Sequence, residues 1–337
     1  SHEKLETLKK TLVQEYWGRE GENRMGSLLH EFLMSLSVDA SPRYTNFDGE
    51  IYHYTALHNI ESILLNSRDK IVLWASQYDC LNDISEGTIV EPCYYKVCKD
   101  LRACGYISPN LYELLSGIKP SKNDFFAMRE NNKLISERSE YTTYIASFSQ
   151  KSDLLPMWNY YSKGDLFEGI NLGMDSKAIL SNYPTLSAHG KVRLNVSSVV
   201  YSQKEQEDII KKFLLEIISK YKEGFEQPVR EVVSKKLASL KMIFKQECFS
   251  YEQEVRIIVD MADKYRDDFS IKYRTNAGYF IPYIELLIDK KALKSVTLGP
   301  FRGTESQLDL QKKTLSQMLA SHQYEININV SKVPIRY

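Results

Sequence analysis

The sequence lacks the features that mark membrane, secreted and general nucleic-acid-binding proteins. No apolar run approaches the roughly 18 residues that a membrane-spanning helix needs, and the charged N-terminal residues do not resemble a secretory signal. The 44 Lys and Arg residues balance the 44 Asp and Glu residues, so there is no cationic surplus for general nucleic-acid binding. We therefore expect a cytoplasmic protein that neither spans a membrane nor binds nucleic acid in general.

Cysteine and glycine do not occur in the patterns that carry metal or phosphate chemistry. The five cysteines include no C-x-x-C pair, which argues against a disulfide framework and a zinc knuckle. No G-x-S-x-G elbow is present, so a serine nucleophile is not expected. Residues 299–303 precede a predicted helix, whose free N–H groups would favour an anion, but they lack the dinucleotide and P-loop forms. We expect no metal.

Apolar periodicity predicts an α+β fold, with a mixed, largely antiparallel sheet in its core. Apolar residues at helical spacing predict an N-terminal helical arm over residues 1–45, and a Ser-, Pro-, Asn-, Asp- and Gly-rich stretch ends it. The α+β core domain follows over residues 46–337. Short alternating or continuous apolar stretches predict its strands, at residues 51–54, 71–75, 144–149, 169–173, 192–196, 255–259 and 280–288.

Further helices are predicted inside the core domain, the first over residues 57–65 and a short one over residues 154–162. Two amphipathic helices form an insertion over about residues 205–247. The chain then closes with a strand at 296–298, a helix at 305–319 and a strand at 325–330, which is the length of a βαβ crossover.

The first strand carries a candidate polar face. Because side chains alternate along a strand, His53 and Thr55 point to one side, and Tyr52 and Tyr54 to the other. His53 and Thr55 could donate to the phosphate or ribose oxygens of a ligand. A histidine satisfied within a core or at a sheet edge is an equally good interpretation.

Further candidates lie on the middle strand and on the short helix that follows it. Ser147 and Ser149 share a face and could hydrogen-bond a ligand or a catalytic side chain, although structural hydroxyls are the simpler interpretation. Trp158 could floor a base or nicotinamide ring, but aromatic residues at helical spacing more often pack a core.

Residues 251–256 contain the strongest candidates for catalytic residues in the sequence. Period-two alternation puts Glu252, Glu254 and Arg256 on one side of a strand. A carboxylate beside an arginine stays ionised, which suits stabilising a developing cation, polarising a hydroxyl nucleophile or binding a metal. A structural ion pair carries about equal weight.

Asn82, Asp83 and Glu86 offer oxygen ligands, but no second carboxylate cluster of defined spacing accompanies them. Turn formation and helix capping explain Asn82 and Asp83 better.

Taken in order, these motifs resemble those of a bacterial family of unknown function, DUF2971. The resemblance extends from about residue 51 to the end of the chain and leaves out the N-terminal arm and much of the 205–247 insertion. It implies no reaction. The motifs that carry it are Tyr52-His53-Tyr54-Thr55, Leu81-Asn82-Asp83 with Glu86, Ser147-Phe148-Ser149 with Trp158 and Tyr161, residues 251–256, and Gly299-Pro300 with residues 331–336.

The order of the motifs is also similar to that in ADP-ribosyltransferases, whose sites combine an early-strand His or Arg, a middle Ser or Tyr and a late Glu. This second resemblance implies NAD as substrate, with His53 and Thr55 on its ribose. Glu254 would stabilise an oxocarbenium-like transition state and orient an acceptor, with Glu252 as the competitor for that role. Of the other candidates, Tyr54 or Trp158 would stack on nicotinamide, Ser147 or Ser149 would brace the site, and Arg256 would be among the residues that bind the cofactor.

Three functional hypotheses follow. The first is an NAD-consuming transferase or glycohydrolase, acting as a bacterial toxin or phage-defence effector on a macromolecular acceptor. The second is a nonenzymatic sensor that binds a nucleotide-like or phosphorylated ligand and signals through the helical insertion. The third and weakest is a metal-dependent nuclease that uses Asp83, Glu86 and Glu252.

Overall fold

The computed structural model describes residues 47–81, 87–121, 123–130, 133–162, 168–181, 192–276 and 278–334, together with Phe32 and Ser35. The N-terminal arm predicted over residues 1–45 lies outside the described residues, apart from Phe32 and Ser35, and so do Asn82, Asp83 and Glu86.

Within those ranges, eleven strands form one mixed sheet that is largely antiparallel, which confirms the predicted α+β class. Strands β10 and β11 pair in parallel on either side of a helix, so the C-terminal βαβ unit is confirmed. The strands are β1 (Glu50–Ala56), β2 (Lys70–Gln77), β3 (Asn123–Glu130), β4 (Lys133–Ser149), β5 (Gly169–Asp175), β6 (Val192–Ser198), β7 (Glu254–Ala262), β8 (Lys272–Asn276), β9 (Tyr279–Asp289), β10 (Leu293–Leu298) and β11 (Asn327–Val330).

Strand β4 organises the sheet because it is long enough to pair with four other strands. Its first half forms a hairpin with β3, and its second half pairs along one edge with β7, which in turn pairs with β6. Along the other edge, β4 meets β1 at Ser149 and β2 at Ile145 and Tyr144. The sheet continues from β1 through β5 to β10, and from β2 through β9 to β8. Strands β1, β4 and β7 are therefore neighbours.

Seven α-helices occur in the described part of the chain. Several begin at the capping residues that stabilise free N–H groups: Ser108, Ser202 and Thr304 each accept a hydrogen bond from the helix that they precede. The helices are α1 (Val90–Ala103), α2 (Pro109–Ser116), α3 (Leu155–Tyr161), α4 (Ser176–Ser181), α5 (Gln203–Lys220), α6 (Glu226–Lys241) and α7 (Glu305–Ser321). None of these helices is long and apolar enough to cross a bilayer.

The molecule has two large hydrophobic cores. One lies on the sheet face that carries Phe148, Leu172 and Val255. The other is formed by α1, α2, α5 and α6, with Phe32 fully buried in it against the ring of Phe225. Each core buries apolar side chains from segments far apart in sequence, so burial of apolar surface holds both the sheet and the helical layer together.

The predicted strands and the two insertion helices are present, with α5 and α6 in the place expected for the insertion. Two differences matter. Helices α1 and α2 were not predicted, and they complete the helical layer around α5 and α6. The helix predicted over residues 57–65 is instead a 3₁₀ turn, Leu57–Asn59, followed by a single π-helical turn, Glu61–Leu65.

Candidate functional site

Strand register decides which candidate residues can meet. Tyr52 on β1, Ser149 on β4 and Glu254 on β7 lie directly opposite one another across three neighbouring strands. Residues opposite each other in a sheet point to the same face, and adjacent residues on a strand point to opposite faces. Ser147, Ser149, Glu254 and Arg256 therefore share one face, which we call the polar face.

His53 lies on the other face of the sheet. Its ring packs against Phe148, with 5.4 Å between ring centroids, and its Nδ1 donates to the carbonyl oxygen of Ser147 at 3.3 Å. Burial lowers the pKa of His53, although the bond to that carbonyl opposes the change. Thr55 shares this face and accepts a hydrogen bond from Asn59 at 2.8 Å. The expectation that His53 and Thr55 would join Glu254 in one site is therefore corrected: the parity of β1 separates them.

Glu254 is the centre of a buried charge cluster on the polar face. Arg256 Nε and Nη2 donate to its two carboxylate oxygens at 2.8 and 3.0 Å, and Lys245 Nζ lies 3.2 Å from Oε2. Burial alone would raise the pKa of Glu254, but the charges of Arg256 and Lys245, with a hydrogen bond from Ser147, lower it to about 2. Glu254 is therefore ionised and fixed in place.

Glu252 has a contrasting environment only two residues away. It accepts from Lys245 Nζ at 2.7 Å, and its side chain keeps 20 % of its surface exposed, against 6 % for Glu254. Desolvation raises the pKa of Glu252, and the bond to Lys245 only partly offsets that change. One lysine thus bridges a carboxylate whose pKa is lowered and a carboxylate whose pKa is raised.

The backbone conformation at residues 252–254 positions the two carboxylates around Lys245. Glu252 ends a 3₁₀ turn, Glu247–Glu252, and Gln253 then adopts the left-handed conformation, with φ 44° and ψ 52°, before β7 begins at Glu254. Left-handed backbone is uncommon for residues other than glycine, and it persists where the surrounding structure over-determines it. Here the Gln253 carbonyl accepts from Gln150 N at 2.8 Å, and Ser149 Oγ donates to the Glu252 carbonyl at 2.8 Å. The Ser149 hydroxyl therefore stabilises the site by binding the backbone carbonyl of Glu252.

Tyrosines lie near Glu252, close enough for its charge to act on Tyr161 and Tyr251. Tyr160 on α3 stacks on Tyr251, with 6.3 Å between centroids, an interplanar angle of 9° and hydroxyl oxygens 2.9 Å apart. Desolvation, reinforced by the charges of Glu254 and Glu252, raises the pKa of the Tyr161 hydroxyl. Tyr161 is 40 % exposed and Tyr160 is 58 % exposed, so aromatic surface beside the carboxylates is open to a ligand.

Trp158 and Tyr54, which the sequence suggested as residues that stack on a ligand, are enclosed instead. Trp158 is fully buried, and Tyr54 is 2 % exposed. Their rings meet edge to face at 4.7 Å, and Trp158 Nε1 donates to Asp153 at 2.7 Å. Because neither ring has an open face, the core interpretation describes Trp158 and Tyr54.

Sequence reasoning missed Lys245 and Tyr201. Tyr201 accepts a hydrogen bond from the backbone N–H of Glu254 at 2.9 Å, and Lys245 is aligned by backbone bonds between Val200 and residues 243–245. A lysine just beyond an amphipathic helix carries no signal of its own in the sequence. The segment at 299–303 leads into a helix whose N-terminus is satisfied by a capping box of Thr304 and Gln307.

One family model matches part of the chain. The model of the family described as a protein of unknown function, DUF2971, matches residues 157–257. The matched stretch is less than a third of the chain. It begins at the aromatic helix α3 and ends just past Arg256, and it runs through the helical insertion, where we expected the resemblance to lapse. No curated protein and no solved structure gives a significant match to the chain.

The matched stretch contains the tyrosines, Lys245 and both carboxylates of the site, and Ser147 and Ser149 are supplied by β4 from outside it. Among the described residues, no group of three or more His, Cys, Asp and Glu side chains is arranged to hold a metal ion.

Proposed function

We propose that this protein cleaves the N-glycosidic bond between nicotinamide and ribose in NAD, as a glycohydrolase or an ADP-ribosyltransferase, with Glu252 as its catalytic carboxylate. The observation that carries the proposal is the pair of carboxylates on Lys245 with opposite pKa shifts, lowered for Glu254 and raised for Glu252. Paired titratable groups whose environments drive their pKa values apart are typical of acid–base catalysis at glycosidic bonds.

Glu252 is the group suited to meet the substrate, because it is the more exposed carboxylate of the pair. As the bond from ribose C1′ to the nicotinamide nitrogen breaks, its electron pair leaves with nicotinamide. Water or an acceptor hydroxyl then forms the new bond to C1′, and Glu252 takes the proton from that nucleophile. A raised pKa brings this base closer to neutral pH, where proton transfer is most efficient.

Glu254 acts as a positioning residue. Its side chain is 6 % exposed and is held by Arg256, Lys245 and Ser147, so it fixes Lys245 against Glu252. This assignment moves the catalytic role from Glu254, the first candidate in the sequence, to its competitor Glu252. Electrostatic groups of this kind are effective because they are already oriented before reaction.

The stacked pair of Tyr160 and Tyr251 supports the choice of substrate. Exposed aromatic faces next to a carboxylate suit a planar heterocycle attached to a sugar. The pair replaces Tyr54 and Trp158 as the proposed stacking surface for nicotinamide.

The test is nicotinamide release from NAD by the full chain, with and without a bacterial lysate as a source of acceptors. Glu252→Gln is expected to lower the rate by about a hundredfold or more. The matched control is Glu285→Gln, because Glu285 also pairs with a lysine, at 2.8 Å, and its side chain is 25 % exposed. No release by the wild type in either condition, or an undiminished rate for Glu252→Gln, would contradict the proposal.

One observation favours a second candidate, a nonenzymatic nucleotide sensor. Arg256 Nη1 donates to the carbonyl of Met242 at the end of α6, and Gln206 on α5 donates to the carbonyl of Lys245. A ligand on the charge cluster would therefore act on both insertion helices. Thermal stabilisation by NAD or ADP-ribose without any nicotinamide release would favour the sensor over the enzyme.

A further inference from the structure

A cavity separate from the charge cluster lies between the helical layer and the sheet. Its volume is about 600 Å³, within the roughly 300–1,000 Å³ typical of sites for small ligands. Its walls come from α1, from the end of α6, from β4 at Tyr141 and Thr143, and from the turn at Tyr78 and Asp79. No residue of the proposed catalytic site lines it.

The wall chemistry indicates what the cavity would accept. Three tyrosines, Tyr78, Tyr95 and Tyr141, line it together with Pro92 and Pro120, so apolar surface predominates. Arg193 lies over one face of the Tyr141 ring, 5.2 Å from its centroid. Aromatic and proline faces of this kind bind planar rings. A planar heterocycle is therefore the ligand class that fits the walls.

The charges of the cavity argue against an anionic ligand. Glu91 is held by Lys241 at 3.0 Å through Oε1 and by Lys119 at 3.0 Å through Oε2, and these bonds lower its pKa. Lys119 also lies over the Tyr95 ring, 4.9 Å from its centroid. The charged side chains that line the cavity are Asp79, Glu91 and Lys241, so the lining has no cationic surplus to attract phosphate.

We propose that this cavity, between α1, α6 and β4, is a binding site for an uncharged planar heterocycle of nucleoside size. Its polar groups are already arranged: Tyr78 donates to the Lys241 carbonyl at 2.9 Å, and Thr143 donates to Asp260 at 2.7 Å. Because these bonds exist before a ligand arrives, binding requires little reordering of the walls.

Ligand binding in this cavity would affect the charge cluster around Glu254 through one residue, Met242. Met242 lines the cavity, and its carbonyl accepts from Arg256 Nη1 at 2.8 Å. Arg256 in turn holds Glu254. A ligand that fixes Met242 therefore also fixes the arginine that orients Glu254, which makes the cavity suited to an effector.

The experiment is calorimetric titration of the full chain with adenosine as the uncharged probe and AMP as its charged counterpart. Adenosine is expected to bind one to one, and AMP to bind at least about tenfold more weakly. Tyr95→Ala should weaken adenosine binding by about tenfold, because one stacked ring is lost. Ala238→Leu, which fills the cavity, should weaken it further. The matched control is Tyr112→Ala, since Tyr112 packs against the same helical core without lining the cavity.

Hydrogen exchange on the wild-type chain locates the ligand independently of any variant. Adenosine should slow exchange in α1 and at the end of α6, around Met242. Three results would overturn the proposal: no adenosine binding up to millimolar concentration, AMP binding as tightly as adenosine, or protection at residues 251–256 in place of the helices. NAD turnover enters none of these measurements, so failure here leaves the proposed function untouched.

Discussion

Replacing Glu254 with glutamine tests the central feature of the charge cluster. The variant removes the charge that Arg256 and Lys245 neutralise and leaves Arg256, which is 1 % exposed, without its carboxylate. Breaking one partner of a buried charge pair costs about 3–5 kcal/mol. We expect Glu254→Gln to lower the free energy of unfolding by that amount at pH 7, measured by urea denaturation.

The same variant has a pH signature. The pKa of Glu254 is lowered from 4.5 to about 2, so its stabilisation is complete above pH 4.5 and is lost as the pH falls towards 2. That difference in pKa corresponds to about 3 kcal/mol. The gap in unfolding free energy between wild type and Glu254→Gln should therefore narrow by about 3 kcal/mol between pH 5 and pH 2.

Two outcomes would refute this reasoning. A loss below about 1 kcal/mol at pH 7 would show that the cluster contributes no more than a surface ion pair. A gap that stays constant from pH 5 to pH 2 would show that the pKa of Glu254 is not lowered in the folded protein. Glu285→Gln serves as the control, because its exposed pair with Lys272 should contribute less than about 1 kcal/mol.

Three further predictions follow from the same region. Glu252→Gln should change the free energy of unfolding by less than about 1 kcal/mol while lowering turnover by about a hundredfold or more, because burial already disfavours the ionised Glu252; a loss of stability comparable to that of Glu254→Gln would make Glu252 structural. Gln253→Gly should raise the unfolding free energy by up to about 1 kcal/mol, seen as a higher melting temperature, since glycine adopts positive φ without strain; an unchanged or lower value would argue against strain there. Gly299→Ala should lower the free energy of unfolding, measured by urea denaturation, by about 1–3 kcal/mol, because the new methyl carbon would lie 3.0 Å from Trp158 and 3.1 Å from the Gly169 carbonyl. An unchanged free energy of unfolding would show that the Trp158 side chain can move aside at little cost.

Local pattern predicted the elements well wherever an amphipathic period was clear. Strand β7 and helices α5 and α6 have such periods, and all three are present. Helix α1 was missed although its six buried residues recur at helical spacing, because three of them are cysteine or tyrosine, which mark an apolar face less clearly than leucine, isoleucine or valine. The six are Val90, Cys93, Tyr94, Val97, Cys98 and Leu101.

Which residues form the site depends on the strand register, and the sequence alone does not determine that register. Alternation correctly paired His53 with Thr55 and Glu254 with Arg256, but it could not tell which pair faces which side once strands meet. A shift of one residue in the pairing of β1 with β4 would bring His53 to the polar face. The observed register, Tyr52 opposite Ser149, places it with Phe148 instead.

The position of Lys245 shows why the two carboxylates differ. In a continuous strand, Glu252 and Glu254 would be equivalent neighbours on one face, with similar exposure and similar pKa values. The left-handed turn at Gln253 breaks that equivalence: Glu254 enters the sheet beside Arg256, and Glu252 stays at the end of a 3₁₀ turn beside the open tyrosines. Lys245 reaches both from the end of the helical insertion. The chemical asymmetry on which the proposed function rests is thus produced by one strained residue and one lysine, each of which is unremarkable in the sequence.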